Sequence, residues 1–299
     1  MDKLLFDRNG PIFSFVVSKV REKKEFAGIG NNFIFDVVSD VLKVDSRFSY
    51  SFSQVYSIFD DYSLRFGSEK AKLLILKNSN FKAVVKEIRA KLRKVHGVYN
   101  RDNYDERLRL VKDRKFEDAL KTHKSTNERF VFYPFILGKI FSYFPKPKAI
   151  LDLGCGLNPL IVSLFPDYFD KVKYFAGDLN MDEVSLLNLF FNQEKIDGKA
   201  FVIDLMHHVD SVDMFGKTDV CFLFKVLDVV EHSGHKHSEE IIKRINSRFI
   251  VVSFSTKTLS NKNMNYPGRG WIERMLNRLG FRWHFFYVEN EAFYVVDKG

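Results

Sequence analysis

The sequence predicts an α/β protein: a mostly parallel, seven-stranded sheet with a terminal antiparallel hairpin, preceded by a helical N-terminal domain. Three observations carry this expectation. From about Lys146 short apolar runs alternate with helical stretches, the pattern of a parallel sheet with crossover helices. One run, Ala149-Ile150-Leu151-Asp152-Leu153, breaks at Gly154-Cys155-Gly156, and a helix starts near Pro159, a residue suited to a first helical turn. The chain then closes on two strand-like runs, 281–288 and 292–296, joined by the polar turn Glu289-Asn290-Glu291.

Residues 1–146 read mostly as helices. Phe81, Val84, Val85, Ile88, Leu92 and Val95 recur at helical spacing, with Lys82, Lys86, Arg89, Arg93 and Lys94 interspersed, so one helix presents a cationic outer face. The charged run 101–115 has mixed signs and few apolar residues, as expected of an exposed helix or a connector. Beyond it, strands are expected near 149–153, 174–177, 200–203, 220–224 and 249–254, with helices at 182–192, 239–245 and 270–279. The resulting division is a basic helical domain over 1–120 and an α/β domain over 121–299.

The charge is unevenly placed. Of 47 Lys+Arg and 38 Asp+Glu, residues 1–146 carry 29 and 18, leaving 18 and 20 for the remainder. A basic front on a near-neutral back suggests one module that meets a polyanion and another that does chemistry. The two cysteines, Cys155 and Cys221, sit in apolar contexts and imply no disulfide framework. No run of apolar residues is long enough to span a membrane and no signal-peptide pattern opens the chain, so a cytoplasmic monomer is expected. The histidines around His232–His237 lack the cysteine or carboxylate spacing of a zinc site, and no metal is expected.

Glycines at a strand-to-helix turn let the backbone approach a bound nucleoside closely. The turn at Gly154-Cys155-Gly156 resembles motif I of S-adenosyl-L-methionine-dependent methyltransferases. It is a poor dinucleotide fingerprint, because Asn158-Pro159 stands where a third glycine would fall. Asp178-Leu179 closes the second strand, where a carboxylate accepts from ribose hydroxyls. Asp204-Leu205 closes the third, where methyltransferases often place an acceptor for the adenine amino group beside an apolar residue that packs on the ring.

Several segments together resemble the aminoglycoside-resistance 16S rRNA (guanine-N7) methyltransferases, the FmrO-like family. They are His123-Lys124-Ser125-Thr126-Asn127-Glu128-Arg129, Cys155-Gly156-Leu157-Asn158-Pro159-Leu160, Phe224-Lys225-Val226-Leu227 with Glu231, and the run from Ser253 through Lys257 to Leu259. The resemblance implies a Rossmann-like methyltransferase fold, S-adenosyl-L-methionine as cofactor, and N7-methylguanine formation in the decoding site of 16S rRNA within the small ribosomal subunit. It implies that Arg129 meets the methionine carboxylate of the cofactor, a match of guanidinium fork to carboxylate. Lys225 would hold or orient the target nucleotide, and Lys257 would meet RNA alongside the basic N-terminal residues. Where close members have Lys-Thr-Leu-Pro, this chain has Lys225-Val226-Leu227-Asp228; Ser255 replaces Pro, and Ser260-Asn261-Lys262 replaces Gly-Gly-Arg. Other readings are methylation of another RNA base or a small molecule, and a ribosome-binding protein without catalysis.

Overall fold

A computed structural model describes residues 10–97, 104–231, 234–257 and 266–299. Its chain divides into two compact units, Met1–Asp102 and Asn103–Gly299. The first is helical: α1 (Pro11–Arg21), α2 (Asn31–Val44), α3 (Ser46–Phe66), α4 (Ser68–Ile75) and α5 (Ser79–Leu92). In α5 the expected periodicity holds: Phe81, Val84, Val85, Ile88 and Leu92 are buried while Lys82 and Lys86 stay exposed. The Asn78 side chain starts this helix by accepting from the backbone N–H groups of Asn80 and Phe81.

The second unit opens with α6 (Tyr104–Lys112), α7 (Phe116–Thr122), α8 (Lys124–Arg129) and α9 (Tyr133–Phe141). The sheet follows, with β1 (Ala149–Leu153), α10 (Ile161–Leu164), α11 (Pro166–Phe169), β2 (Lys173–Asp178), α12 (Met181–Glu194), β3 (Gly198–Val202) and β4 (Thr218–Phe224). It is completed by α13 (Leu227–Val230), α14 (Lys236–Arg244), β5 (Ser247–Ser255), α15 (Gly270–Arg278), β6 (Arg282–Val288) and β7 (Glu291–Asp297). Strand order is β3-β2-β1-β4-β5-β7-β6, parallel except where β7 runs antiparallel to β5 and β6. The expected seven-stranded sheet and closing hairpin are therefore present.

Strand alternation feeds two cores. Ile150, Phe222 and Val251 face one cluster with α7, α9 and α12 residues; Leu151, Leu223 and Val252 face the other with α14 and α15 residues. Burial on both faces explains why these strands read as continuous apolar runs.

Two expectations shift. The boundary between compact units falls at 102/103 rather than 120, because Leu110, Val111, Phe116, Ala119 and Leu120 belong to the core of the sheet unit. The charged run is not simply exposed either: Arg107 of α6 is 2% exposed and its Nη1 donates to Glu183 Oε1 of α12 at 2.6 Å. Tandem charges hid this anchor, since only burial separates Arg107 from its solvated neighbours.

Burial pushes the Glu183 carboxyl up to about 7 despite the Arg107 guanidinium. Its folded value exceeds the unfolded one, so its stabilising contribution is full below about 4.5 and is lost as pH rises towards 7. Arg107→Met strands this carboxylate and should destabilise the fold by about 3 kcal/mol at pH 8. At pH 5 the cost should shrink, because Glu183 can take a proton. Urea unfolding at both pH values checks this, and an equal or larger cost at pH 5 contradicts it.

Candidate active site

The glycine turn after β1 sits at the carboxyl edge of the sheet, and two segments press on it. Gly154 has φ +66° and a Cβ there would lie 2.4 Å from Val226 Cγ2; Gly156 has φ +50° and a Cβ would lie 3.0 Å from His123 Cε1. Both positions thus require glycine for conformation and for space. The contacts bring together three segments far apart in sequence: the His123 segment, the glycine turn and the Lys225 turn.

Asp178 ends β2 against this turn. Its Oδ2 accepts from Gly156 N–H at 2.8 Å and its Oδ1 from Asn180 N–H at 2.9 Å. Each carboxylate oxygen has two lone pairs, so capacity remains for ribose hydroxyls. Leu179 is half-buried beside it. Under the turn, Asp152 is 1% exposed; its Oδ2 accepts from Asn158 Nδ2 and the Tyr174 hydroxyl, while Oδ1 has no hydrogen-bond partner. Burial pushes its carboxyl up to about 6, against the pull of those two donors. A buried acceptor with spare capacity below a glycine turn fits a cofactor carrying an ammonium group, as S-adenosyl-L-methionine does. Cys155 in the turn is buried, which pushes its thiol well up and suits packing rather than nucleophilic attack.

At the β3 end, Asp204 is already engaged. Its Oδ1 accepts from Met206 and His207 backbone N–H groups, and its Oδ2 lies 2.8 Å from His207 Nδ1. Burial raises this carboxyl, but His207 outweighs it and holds the group below the ordinary range. Leu205 beside it is buried, and its carbonyl meets His237 Nε2 at 2.7 Å.

The densest chemistry lies at the ends of β4 and β7. Lys225 is 6% exposed and left-handed, at φ 60°. A non-glycine residue in that region stores about 1–3 kcal/mol of strain. Its backbone N–H donates to Ser253, at 3.0 Å to the carbonyl and 3.1 Å to Oγ. Its ammonium reaches Glu128 Oε2 at 2.8 Å and Glu291 Oε2 at 3.4 Å. Glu291 is 2% exposed and also holds Arg129, whose Nη2 donates to Oε1 at 2.9 Å and whose Nε donates to Oε2 at 3.1 Å. Burial raises the Glu291 carboxyl, and Arg129, Lys225 and the Ser253 hydroxyl more than reverse this, leaving it low.

Arg129 therefore faces a protein carboxylate here. Its remaining donors go to Ser125 Oγ at 3.1 Å and the Tyr133 hydroxyl at 3.3 Å, and its guanidinium lies 4.8 Å from the Phe224 ring centroid. Tyr133 in turn donates to Asn158 Oδ1 at 2.8 Å, so ion pairs and hydrogen bonds run unbroken from Lys225 to Asp152. Sequence reasoning missed Glu291, Asp152 and the relay through Asn158. Glu291 read as the end of a polar turn, whereas it is the first residue of β7 and points into the site; its only signal was a carboxylate next to an apolar run.

Lys257 follows β5, half-buried, with its backbone N–H donating to Ser255 Oγ. Thr258, Leu259, Ser260-Asn261-Lys262 and His232 lie outside the described residues. In the N-terminal unit, Lys82, Lys86 and Lys94 are exposed. Arg93 Nε instead binds Glu25 at 2.7 Å, and Arg89 donates to the Lys19 carbonyl and lies 3.7 Å from Glu22. Lys19, Lys23, Lys82, Lys86, Arg89 and Arg93 line a groove of about 400 Å³ floored by Leu76, Phe81 and Val85.

A model of the FmrO ribosomal RNA methyltransferase family matches residues 111–295. The 16S rRNA (guanine(1405)-N(7))-methyltransferase of Micromonospora echinospora is 29% identical over 184 residues, 60% of this chain and 65% of that protein. Its namesake from Proteus mirabilis is 26% identical over 48% of this chain and 50% of that one. The match thus spans somewhat less than two thirds of these relatives' length. Among solved structures, the 16S rRNA methylase RmtB superposes with a TM-score of 0.67 at 17% identity, covering 96% of this chain and 98% of that one. RmtF, solved with S-adenosyl-L-homocysteine, gives 0.64 at 18% identity with 100% of each chain covered. These two likenesses are of fold. With the family model matching more than half of the sequence, and its matched span holding the glycine turn, Asp178, Lys225 and Glu291, the chain belongs to the FmrO family of ribosomal RNA methyltransferases.

Proposed function

We propose that this protein transfers a methyl group from S-adenosyl-L-methionine to guanine N7 of 16S rRNA in the decoding region of the small ribosomal subunit, and so confers aminoglycoside resistance. The observation that carries this reading is Lys225, strained, buried and ion-paired at the carboxyl edge of the sheet beside the glycine turn. Substrates of open α/β sheets enter at that edge. The cofactor would supply an electrophilic methyl group. Gly154, Cys155, Gly156, Asp178 and Leu179 would hold its methionine and ribose parts, and Asp204 and Leu205 its adenine, with Asp204 exchanging its His207 contact for the amino group. The Arg129 fork would reach the methionine carboxylate only by sharing or exchanging Glu291.

Guanine N7 carries a free lone pair in the neutral base. No general base is needed, and the work left to the chain is alignment of nucleophile and methyl group, which can supply several kcal/mol. A site whose charges are already neutralised among Glu128, Lys225, Glu291 and Arg129 suits that task. The basic N-terminal unit, with its cationic groove, would dock on the subunit's RNA, an affinity dominated by phosphate contacts. No helix of the described residues is long and apolar enough to cross a membrane.

Methyl transfer from radiolabelled cofactor to purified small subunits, followed by strand scission at N7-methylguanine, tests the reading. One labelled guanine in the decoding region is expected; labelling elsewhere or not at all overturns it. Asp178→Ala should weaken cofactor binding about tenfold or more, by removing the hydrogen bonds that shape the turn and accept from ribose, while RNA affinity stays unchanged. Calorimetry and filter binding separate the two, and normal cofactor affinity with weakened RNA binding contradicts the assignment.

Lys225→Gln should lower methyl transfer about 100-fold with cofactor affinity within about threefold. Parallel loss of both would move Lys225 into cofactor binding. For docking, the exposed lysines should matter more than the paired arginines. Neutralising Lys82, Lys86 and Lys94 should flatten the salt dependence of subunit binding by roughly one unit of slope for each phosphate no longer neutralised. Arg89→Gln with Arg93→Gln should change it less, and the reverse ranking refutes this docking face.

A further inference from the structure

Arg269 lies immediately before α15 and is mostly buried at its side chain, 13% exposed. Its Nη2 donates to the Ser255 carbonyl at 2.7 Å and lies 3.3 Å from Asp228 Oδ2, and its guanidinium sits 5.5 Å from the Phe254 ring centroid. The Arg269 backbone N–H donates to the Tyr294 hydroxyl at 2.6 Å, and that hydroxyl donates to Glu273 Oε1 at 2.7 Å. Ser255 ends β5 and Arg269 precedes α15, so one guanidinium ties the end of β5 to the start of α15. Asp228 belongs to the first turn of α13, three positions after Lys225. The same side chain therefore fastens the end of β5 to the turn that follows Lys225.

At 44% exposure of the Asp228 side chain, the pair with Arg269 contributes little to stability, and its worth must be sought in geometry.

We propose that Asp228 and Arg269 form a positioning brace that sets Lys225 and the β5 end relative to one another on the nucleic-acid side of the active site, leaving the cofactor side untouched. The brace rests on the methyl-transfer reading above. Lys225 is held through its backbone N–H to Ser253, two residues before Ser255, so the brace and that hydrogen bond span the same pair of strand ends. Releasing the carboxylate would loosen the α13 turn next to Lys225, whereas the hydrogen bonds that Asp178 accepts from Gly156 and Asn180 involve neither α13 nor the β5 end.

The test compares Asp228→Asn, Arg269→Gln, the double variant and Asp228→Glu. Each single change should lower kcat for subunit methylation about tenfold, the scale expected of a small misplacement, with cofactor Kd within about twofold. The double variant should be no worse than Arg269→Gln, since the two residues act as one unit, and Asp228→Glu should recover most of the rate. An unchanged kcat, multiplicative losses in the double variant, or a parallel fall in cofactor affinity overturns the proposal. Hydrogen exchange gives a readout independent of turnover. The amides of Lys225 and Arg269 should exchange faster together in Asp228→Asn, and an unaltered Lys225 amide refutes the brace. Should the wild-type protein leave subunits unmethylated, the substrate reading fails by itself and exchange still decides the brace.

Discussion

The site depends on a buried chain of alternating charges, Glu128–Lys225–Glu291–Arg129. Its members come from α8, the β4 end and the β7 start, and three of the four are nearly inaccessible to water. Ions so buried are tolerable only when every charge has a partner and the remaining donors are satisfied. Here Ser253 donates to Glu291, Ser125 accepts from Arg129, and the phenol of Tyr133 completes the guanidinium's contacts. Removing one member leaves an unpaired charge in a poor solvent, so the four act as a unit. This explains how a left-handed lysine persists: its strain is offset by two backbone-anchored hydrogen bonds and two carboxylates.

The same chain joins the Lys225 edge to the glycine turn. From Arg129, hydrogen bonds pass through Tyr133 and Asn158 to Asp152, two residues before Gly154. Steric contacts make a second link, with Val226 against Gly154 and His123 against Gly156. A large displacement at either end would have to move groups that the other end needs. Close-packed interiors respond to such demands by switching between discrete arrangements rather than by yielding gradually.

Much of this was legible in the sequence, for reasons that differ by residue. The central strands β1, β4 and β5 announced themselves because both faces are buried, and the α5 stripe because one face is. Gly154, Asp178 and Lys225 were legible because a strand-end position constrains what chemistry a residue can do. Glu291 was not legible: a carboxylate beside a turn is ordinarily solvated, and only pairing across the sheet brings it to Arg129 and Lys225. Arg107 was hidden in a run of like residues for the same reason. Arg89 and Arg93 looked as free as Lys86, since nothing in a periodic pattern shows that Glu22 and Glu25 lie opposite. Pairing between distant residues is what one-dimensional pattern reading lacks.

The charge pattern also bears on how the site divides its labour. A reaction at a neutral ring nitrogen, as proposed, releases no proton from the nucleophile in the bond-forming step, so an unpaired base would serve no purpose there. The carboxylates at this edge are correspondingly committed: Glu291 to two cations, and Glu128 to Lys225. Asp152, on the cofactor side of the relay, keeps a whole acceptor atom unused. Spare hydrogen-bonding capacity thus lies beside the glycine turn, while the β4–β7 edge has mutually neutralised charges with no spare basicity.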